Sequence, residues 1–267
     1  PVMLPPRERP RSRRAAPDGR STDAGGRRSL PQARGAAYNP AFAVSSPVSR
    51  PFADQVSEVT TGRLSVYLRC LEALEQDGVQ TISSRALAER FHLNAALIRK
   101  DLAYFGEFGV RGVGYFVKDL RRHLRQILGL DRRFKVVILG AGNLGCALAD
   151  YDGFRQDGFE IVAMFDVAPE KVGRLVRSGL VVRHLRELEE TVGHLGADIA
   201  VVAVPRHAAQ QVISLVVSAG IRAVLNFASG TVHVPDGVRL KNVDLSVSLE
   251  SLSFFLAQED AGGPEDA

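Results

Sequence analysis

The sequence predicts an α/β protein in two parts. A small helix-turn-helix module with a β-hairpin comes first, then a doubly wound parallel sheet that runs on into a single apolar helix. Three observations carry this prediction. Two short helical patterns are separated by a three-residue break at 92–94, short apolar runs alternate with helical stretches between residues 134 and 227, and the glycine pattern Gly140-x-Gly142-x-x-Gly145 falls at the first strand-to-helix turn.

The first 50 residues lack apolar periodicity and hold 10 Arg against 3 acids, within a 267-residue chain of formal net charge +4. Such a segment buries too little apolar surface to offset its ordering entropy and is expected to be a disordered extension over 1–56, a solvated tail without a dedicated partner, the alternative being that its arginines add weak, non-specific attraction to phosphate. The next 80 residues are near balance, and residues 131–267 hold 13 basic against 18 acidic side chains. The basic total thus comes from the extension. Two cysteines, Cys70 and Cys146, cannot build a secreted disulfide framework, so a cytoplasmic location is expected. The longest nearly uncharged apolar run, 199–204, is far short of a membrane span, and no signal-type apolar region follows the basic start.

Leu64, Leu68, Leu71 and Leu74 recur at helical spacing, which predicts a helix over 61–77 stopped by Gly78. Ser83 and Ser84 offer an N-cap for a short helix with Leu87 and Ala88. Asn94 caps a second helix, 95–105, that ends at Gly106, completing a helix-turn-helix pattern. The glycines of 109–117, set among Val, Tyr and Phe, predict a tight hairpin, the wing of a winged helix. A helix over 118–128 shows Leu120, Leu124, Ile127 and Leu128 on one side, with Arg121, Arg122 and Arg125 expected to be exposed. Strands are then expected at 134–139, 159–165, 199–204 and 223–227, with helices near 144–149, 185–195 and 208–219. The stretch 246–257, with Leu249, Leu252, Phe254, Phe255 and Leu256, predicts a helix whose apolar surface packs on another subunit or on its own fold.

The loop Gly140-Ala141-Gly142-Asn143-Leu144-Gly145 has the context of a Rossmann-type dinucleotide site. Gly140 makes the turn, Gly142 lets the backbone approach a diphosphate, and Gly145 lets helix and strand pack closely. Asp166 ends the next strand, where a carboxylate accepts from a ribose diol and repels a 2′-phosphate. NAD(H) is therefore expected over NADP(H). His207 and His233 are the acid/base candidates near strand ends, but neither has a motif partner, so a sensor is expected rather than an enzyme. The alternative is an NAD-dependent oxidoreductase with a basic accessory domain. A CoA-type nucleotide is a further possibility, opposed by Asp166 because CoA carries a ribose 3′-phosphate. No metal site is expected.

Between residues 85 and 125, 9 basic residues face 4 acids. Arg99 can reach a guanine edge bidentately, Lys100 and Tyr104 can contact base or phosphate, and Arg111 at the hairpin tip can enter a minor groove. Ser84, Gly112 and Tyr115 are grouped with them as DNA-contact candidates.

The run Ile98-Arg99-Lys100-Asp101-Leu102-Ala103-Tyr104-Phe105-Gly106-Glu107-Phe108-Gly109, continued to Tyr115, closely resembles the redox-sensing transcriptional repressor Rex family. So do Gly140 to Gly145, Leu148 to Tyr151, Phe165-Asp166-Val167, Val204-Pro205, Leu225-Asn226-Phe227 and Asn242-Val243-Asp244. The resemblance spans about 57–257. It implies a homodimer that binds palindromic operator DNA through two winged helices, is released by NADH, and exchanges its C-terminal helix between subunits. It adds Val204, Pro205, Asn226, Tyr151 and Asp244 to the nucleotide site. It also implies a relay in which Asp244 meets Tyr151 in one state and Arg69 in the other. Asp152 and Ser229-Gly230 stand where the family commonly has Pro. The domains expected are an extension at 1–56, a winged helix at 57–130, an NAD(H)-binding sheet at 131–245, a swapped helix at 246–258 and a disordered tail at 259–267.

Overall fold

The computed structural model describes residues 56–228 and 230–261. Most of the Arg/Pro-rich extension, Ser229 and the end of the tail lie outside the described residues.

Helix α1 (Glu58–Gln76) starts where the Ser57 side chain accepts the Thr60 amide, and it buries Leu64, Tyr67, Leu68, Leu71 and Leu74. Strand β1 (Thr81–Ile82), absent from the predicted elements, pairs with β3 (Gly114–Phe116), which also pairs with β2 (Gly109–Val110), so the hairpin becomes a three-stranded sheet. A Cβ on Gly114, at φ +98°, would lie 2.5 Å from the carbonyl of Ile82, so only glycine admits this strand contact. Ser83 caps α2 (Ser84–Phe91), and Asn94 caps α3 (Ala95–Phe105) by accepting the Ala96 and Leu97 amides. Helix α4 (Val117–Ile127) lays Leu120 and Leu124 against α1.

In α4 the structure corrects one expectation. Arg121 and Arg125 are half-buried and turned towards Glu75 and Glu72 of α1, at 3.0 and 3.9 Å, and only Arg122 is well exposed. Their charges answer the acids of α1.

The second sheet is wholly parallel, with order β6-β5-β4-β7-β8-β9. Its strands are β4 (Phe134–Leu139), β5 (Phe159–Asp166), β6 (Val182–His184), β7 (Ile199–Val202), β8 (Ala223–Asn226) and β9 (Arg239–Asn242). The predicted strands stand with small shifts of end. The two edge strands, β6 and β9, are added to them. Helices α5 (Asn143–Ala149) and α6 (Asp152–Gln156) link β4 to β5. A 3₁₀ turn (Leu185–Glu187) leads into α7 (Leu188–Leu195), and α8 (Arg206–Ser218) links β7 to β8. The chain order reverses between β4 and β7, the crevice where open α/β sheets take ligands.

Helix α9 (Leu245–Ala261) closes the described chain. Its Leu245, Val247, Leu249, Leu252, Phe254, Phe255 and Leu256 are each 60–66% exposed: Leu245, Leu249, Leu252 and Leu256 share one stripe at helical spacing, Phe255 flanks it, and Val247 and Phe254 lie on the far side. Among the described residues no helix is long and apolar enough to cross a membrane.

Candidate nucleotide site and DNA-reading face

The glycine loop sits at the reversal point, and its three glycines have three separate reasons. Gly140, at φ +104°, has no room for a Cβ, which would lie 2.5 Å from the Ala203 carbonyl and 3.1 Å from Val204. A Cβ on Gly145 would collide with the carbonyl oxygen of Gly140, so α5 lies directly on the loop. A Cβ on Gly142 would meet nothing within 4 Å. That open space beside the backbone fits a diphosphate approaching the start of α5, where the residues Asn143 and Leu144 are exposed.

Asp166, at the tip of β5, is tied to this loop. Its Oδ2 accepts the Ala141 amide at 2.8 Å and the Lys171 ammonium at 3.1 Å, while Oδ1 accepts the Val167 and Ala168 amides at 2.8 and 2.9 Å. Burial pushes the carboxyl up, but the Ala168 and Ala141 amides and the Lys171 ammonium outweigh it and hold Asp166 below the usual carboxylate range. It is therefore ionised at neutral pH. Lys171 was not among the predicted site residues. Pro169 in the run Ala168-Pro169-Glu170-Lys171 is the signal for it, since a turn closed by the Lys171 amide on the Ala168 carbonyl, at 2.9 Å, brings position 171 back onto 166.

Val204 lies against Gly140, and Pro205 leads exposed into α8. Asn226 is fully buried and committed: its amide nitrogen donates to the Ala228 carbonyl and to Asn242 Oδ1, and its oxygen accepts the Ala228 amide. It shapes the loop after β8. Tyr151 is exposed at the start of α6, its ring edge-on to Phe154 and lying across Gly153. Arg69 donates to Asp157 at 3.0 Å, and Asp244 accepts the Ser246 amide at the start of α9. Within the described chain Arg69, Tyr151 and Asp244 thus hold other partners. His207 and His233 are exposed, and among the described residues no His/Cys/Asp/Glu group is arranged to hold a metal. Cys146 is a half-buried free thiol.

The winged helix sorts its cations into two sets. Arg85, Arg90, Arg121, Arg122 and Arg125 pair with Glu89, Asp77, Glu75, Asp119 and Glu72. Arg99, Lys100 and Arg111 are exposed on α3 and the wing and have no ion pair with any described residue. Ser84 Oγ accepts from Arg99 at 3.0 Å, which steadies the guanidinium beside the start of α2. Tyr104 is exposed on the same helix, and Gly112 sits at the hairpin tip with φ +82°. Tyr115 alternates inward on β3 and is buried, so its ring belongs to the core beneath the wing rather than to the outer surface.

An anchor inside this module was not among the predicted site residues. Asp101, 4% exposed, accepts Arg63 Nε and Nη2 at 2.6 and 2.7 Å and Tyr67 Oη at 2.9 Å, which fastens α3 to α1 and turns Lys100 outward. Burial, then the bond to Asp101, pushes Tyr67 up to about 12. The Arg63 guanidinium holds Asp101 below the carboxylate range, outweighing its burial. A carboxyl lowered on folding lends stability that is present at neutral pH and lost as pH falls through the lowered value. Acid unfolding of the wild type below about pH 4 is therefore expected to be steeper than that of Asp101→Asn, as followed by circular dichroism.

A winged helix-turn-helix module on the same chain as a Rossmann-type sheet, with a glycine loop and an acid at the second strand, defines a DNA-binding regulator with a nucleotide-type sensor domain. Family models described as "Putative DNA-binding protein N-terminus" and "CoA binding domain" match residues 55–103 and 131–230. The chain belongs to the redox-sensing transcriptional repressor Rex family. It is 47% identical over 207 residues to the Rex repressor of Pelotomaculum thermopropionicum, covering 78% of this chain and 97% of that protein. It is 48% identical over 200 residues to that of Desulfitobacterium hafniense, covering 75% and 95%. The crystal structure of RSP in complex with beta-NAD+ and operator DNA matches with TM-score 0.73 and 40% identity, over 77% of this chain and 94% of that one. That of RSP in complex with beta-NADH matches with TM-score 0.70 and 38% identity, over 77% and 96%. These relatives are repressors rather than enzymes.

Proposed function

We propose that this chain is a redox-sensing transcriptional repressor that binds operator DNA as a homodimer and lets go when NADH binds. NAD+ competes for the same site and leaves the DNA-binding form available. The observation that carries this reading is the likeness, at 38–40% identity, to one repressor captured both with NAD+ on operator DNA and with NADH. The geometry supports it: Gly142 leaves space for a diphosphate, ionised Asp166 stands where a ribose diol falls, and Arg99, Lys100 and Arg111 face outward together.

Gly140 to Gly145 hold the diphosphate and Asp166 the adenosine ribose, while Val204, Pro205 and the loop shaped by Asn226 wall the nicotinamide end. When bound, the nicotinamide supplies a redox-dependent charge and shape. Arg69, Tyr151 and Asp244 carry the switch, and we assign their meeting to the dimer, since each has another partner within one chain. Moving such an equilibrium from 1:99 to 99:1 needs about 5.5 kcal/mol of differential binding, shared between two nucleotides. The exposed apolar side chains of α9 are covered by the second subunit. A regulator that reads the chromosome of a bacterium works in the cytoplasm.

Calorimetry with NADH, NAD+ and CoA tests the sensor. One NADH per protomer, with no consumption of NADH in the presence of small carbonyl compounds, is expected; turnover would favour the oxidoreductase alternative. The CoA arm answers the "CoA binding domain" match, and a 3′-phosphate beside Asp166 is expected to weaken binding. On the DNA side, Arg99→Ala is expected to lower operator affinity about 10- to 100-fold, the worth of one bidentate base contact, in a fluorescence anisotropy titration.

A further inference from the structure

Asp166 has no acceptor position left. A carboxylate offers about four lone-pair sites, and four donors already occupy it: three backbone amides and the Lys171 ammonium. The amides cannot withdraw. Ala141 is held in the glycine loop, and Val167 and Ala168 lead into the turn that Lys171 itself closes. Lys171 alone reaches the carboxylate on a rotatable stem, and its side chain is 35% exposed where that of Asp166 is 9% exposed. A ribose hydroxyl can therefore enter only where Lys171 gives way.

We propose that Lys171 is a specificity-determining residue of the nucleotide site: it cedes Oδ2 of Asp166 to the adenosine ribose, and its ammonium sets how strongly the site rejects a phosphate on that ribose. This rests on the NAD(H) reading above and deepens it. An unaccompanied carboxylate repels a 2′-phosphate with a full negative charge. Here a positive charge stands 3.1 Å from that carboxylate, so the pair presents a local charge near zero and the rejection is partly cancelled. The chain therefore discriminates NADH from NADPH less sharply than Asp166 alone would make it do. The oxygen that accepts Ala141 is also the one that accepts Lys171, so displacing the ammonium acts directly on the glycine loop.

The test is fluorescence titration of the full-length protein with NADH and with NADPH, for wild type, Lys171→Met, Lys171→Arg, Asp166→Asn and the double variant. Lys171→Met keeps the stem and removes the charge. It is expected to weaken NADPH relative to NADH by about tenfold, and Lys171→Arg is expected to restore the wild-type ratio. Asp166→Asn frees the ammonium and is expected to move the ratio towards NADPH, a gain the double variant loses. A Lys171→Met ratio within about twofold of wild type, with NADH still bound, overturns the inference and leaves the NAD(H) reading standing. A wild type that binds neither nucleotide overturns both. Lys171→Met decides the matter even if Asp166→Asn folds poorly.

Discussion

Ending the chain at Asp244 is expected to turn a dimer into a monomer and to lower operator affinity by at least about two orders of magnitude. Helix α9 exposes seven large apolar side chains, four of them in one stripe, and covering each fully is worth about 1.5–3 kcal/mol. That is on the order of 10 kcal/mol of drive towards a partner, before the cost of association. Side chains 245–257 are all exposed within one chain, so their removal leaves both cores intact. A monomer carries one recognition helix, and the second half-site contact is lost with its effective concentration. Analytical ultracentrifugation reads the first effect and anisotropy the second. A truncated chain that stays dimeric would place the interface elsewhere.

Alanine at two glycines of one loop is expected to give different stability results and the same functional one. Gly142 has φ −82°, which alanine adopts freely, and its Cβ would point into open space. Gly142→Ala should therefore melt within about 1 kcal/mol of wild type, yet lose NADH affinity at least about tenfold, because the methyl takes the space of the diphosphate. Gly145→Ala drives a methyl into the Gly140 carbonyl, so α5 must move off the loop. Its melting temperature is expected to fall as well as its NADH affinity. Both variants should hold operator DNA in the presence of NADH. Differential scanning fluorimetry beside NADH titration separates the two, and a Gly142→Ala protein with full NADH affinity would remove the diphosphate from this loop.

What could be read along the chain was whatever carries a local signal. Asn94 and Gly106 bracket α3, and a strand, three glycines and Asp166 mark the nucleotide site without long-range information. Edge strands β6 and β9 escaped because Val182-Arg183-His184 and Arg239-Leu240-Lys241-Asn242 lie at the rim and have no apolar run to announce them. In the sequence Asp101 is a single acid beside Arg99 and Lys100, with no local sign of a partner. Its partner Arg63 is 38 residues away, and only the packing of α3 on α1 brings them together. The same holds for Arg121 and Arg125, whose acids lie on α1. A basic count along the sequence cannot tell a charge that braces two helices from one that faces DNA. Five of the nine cations pair with acids, which leaves Arg99, Lys100, Arg111 and Lys118 exposed and without an ion pair to any described residue.

The proposed switch is one coupling, between a nucleotide held at the Gly142 loop and the reading face led by Arg99. An anisotropy titration of the dimer on its operator with NADH, at several fixed NAD+ concentrations, measures it directly. NADH is expected to release the DNA, with a midpoint that climbs as NAD+ rises, and operator must weaken NADH binding by the same factor. Release by NADH and NAD+ at equal concentrations, or no release by either, would contradict it.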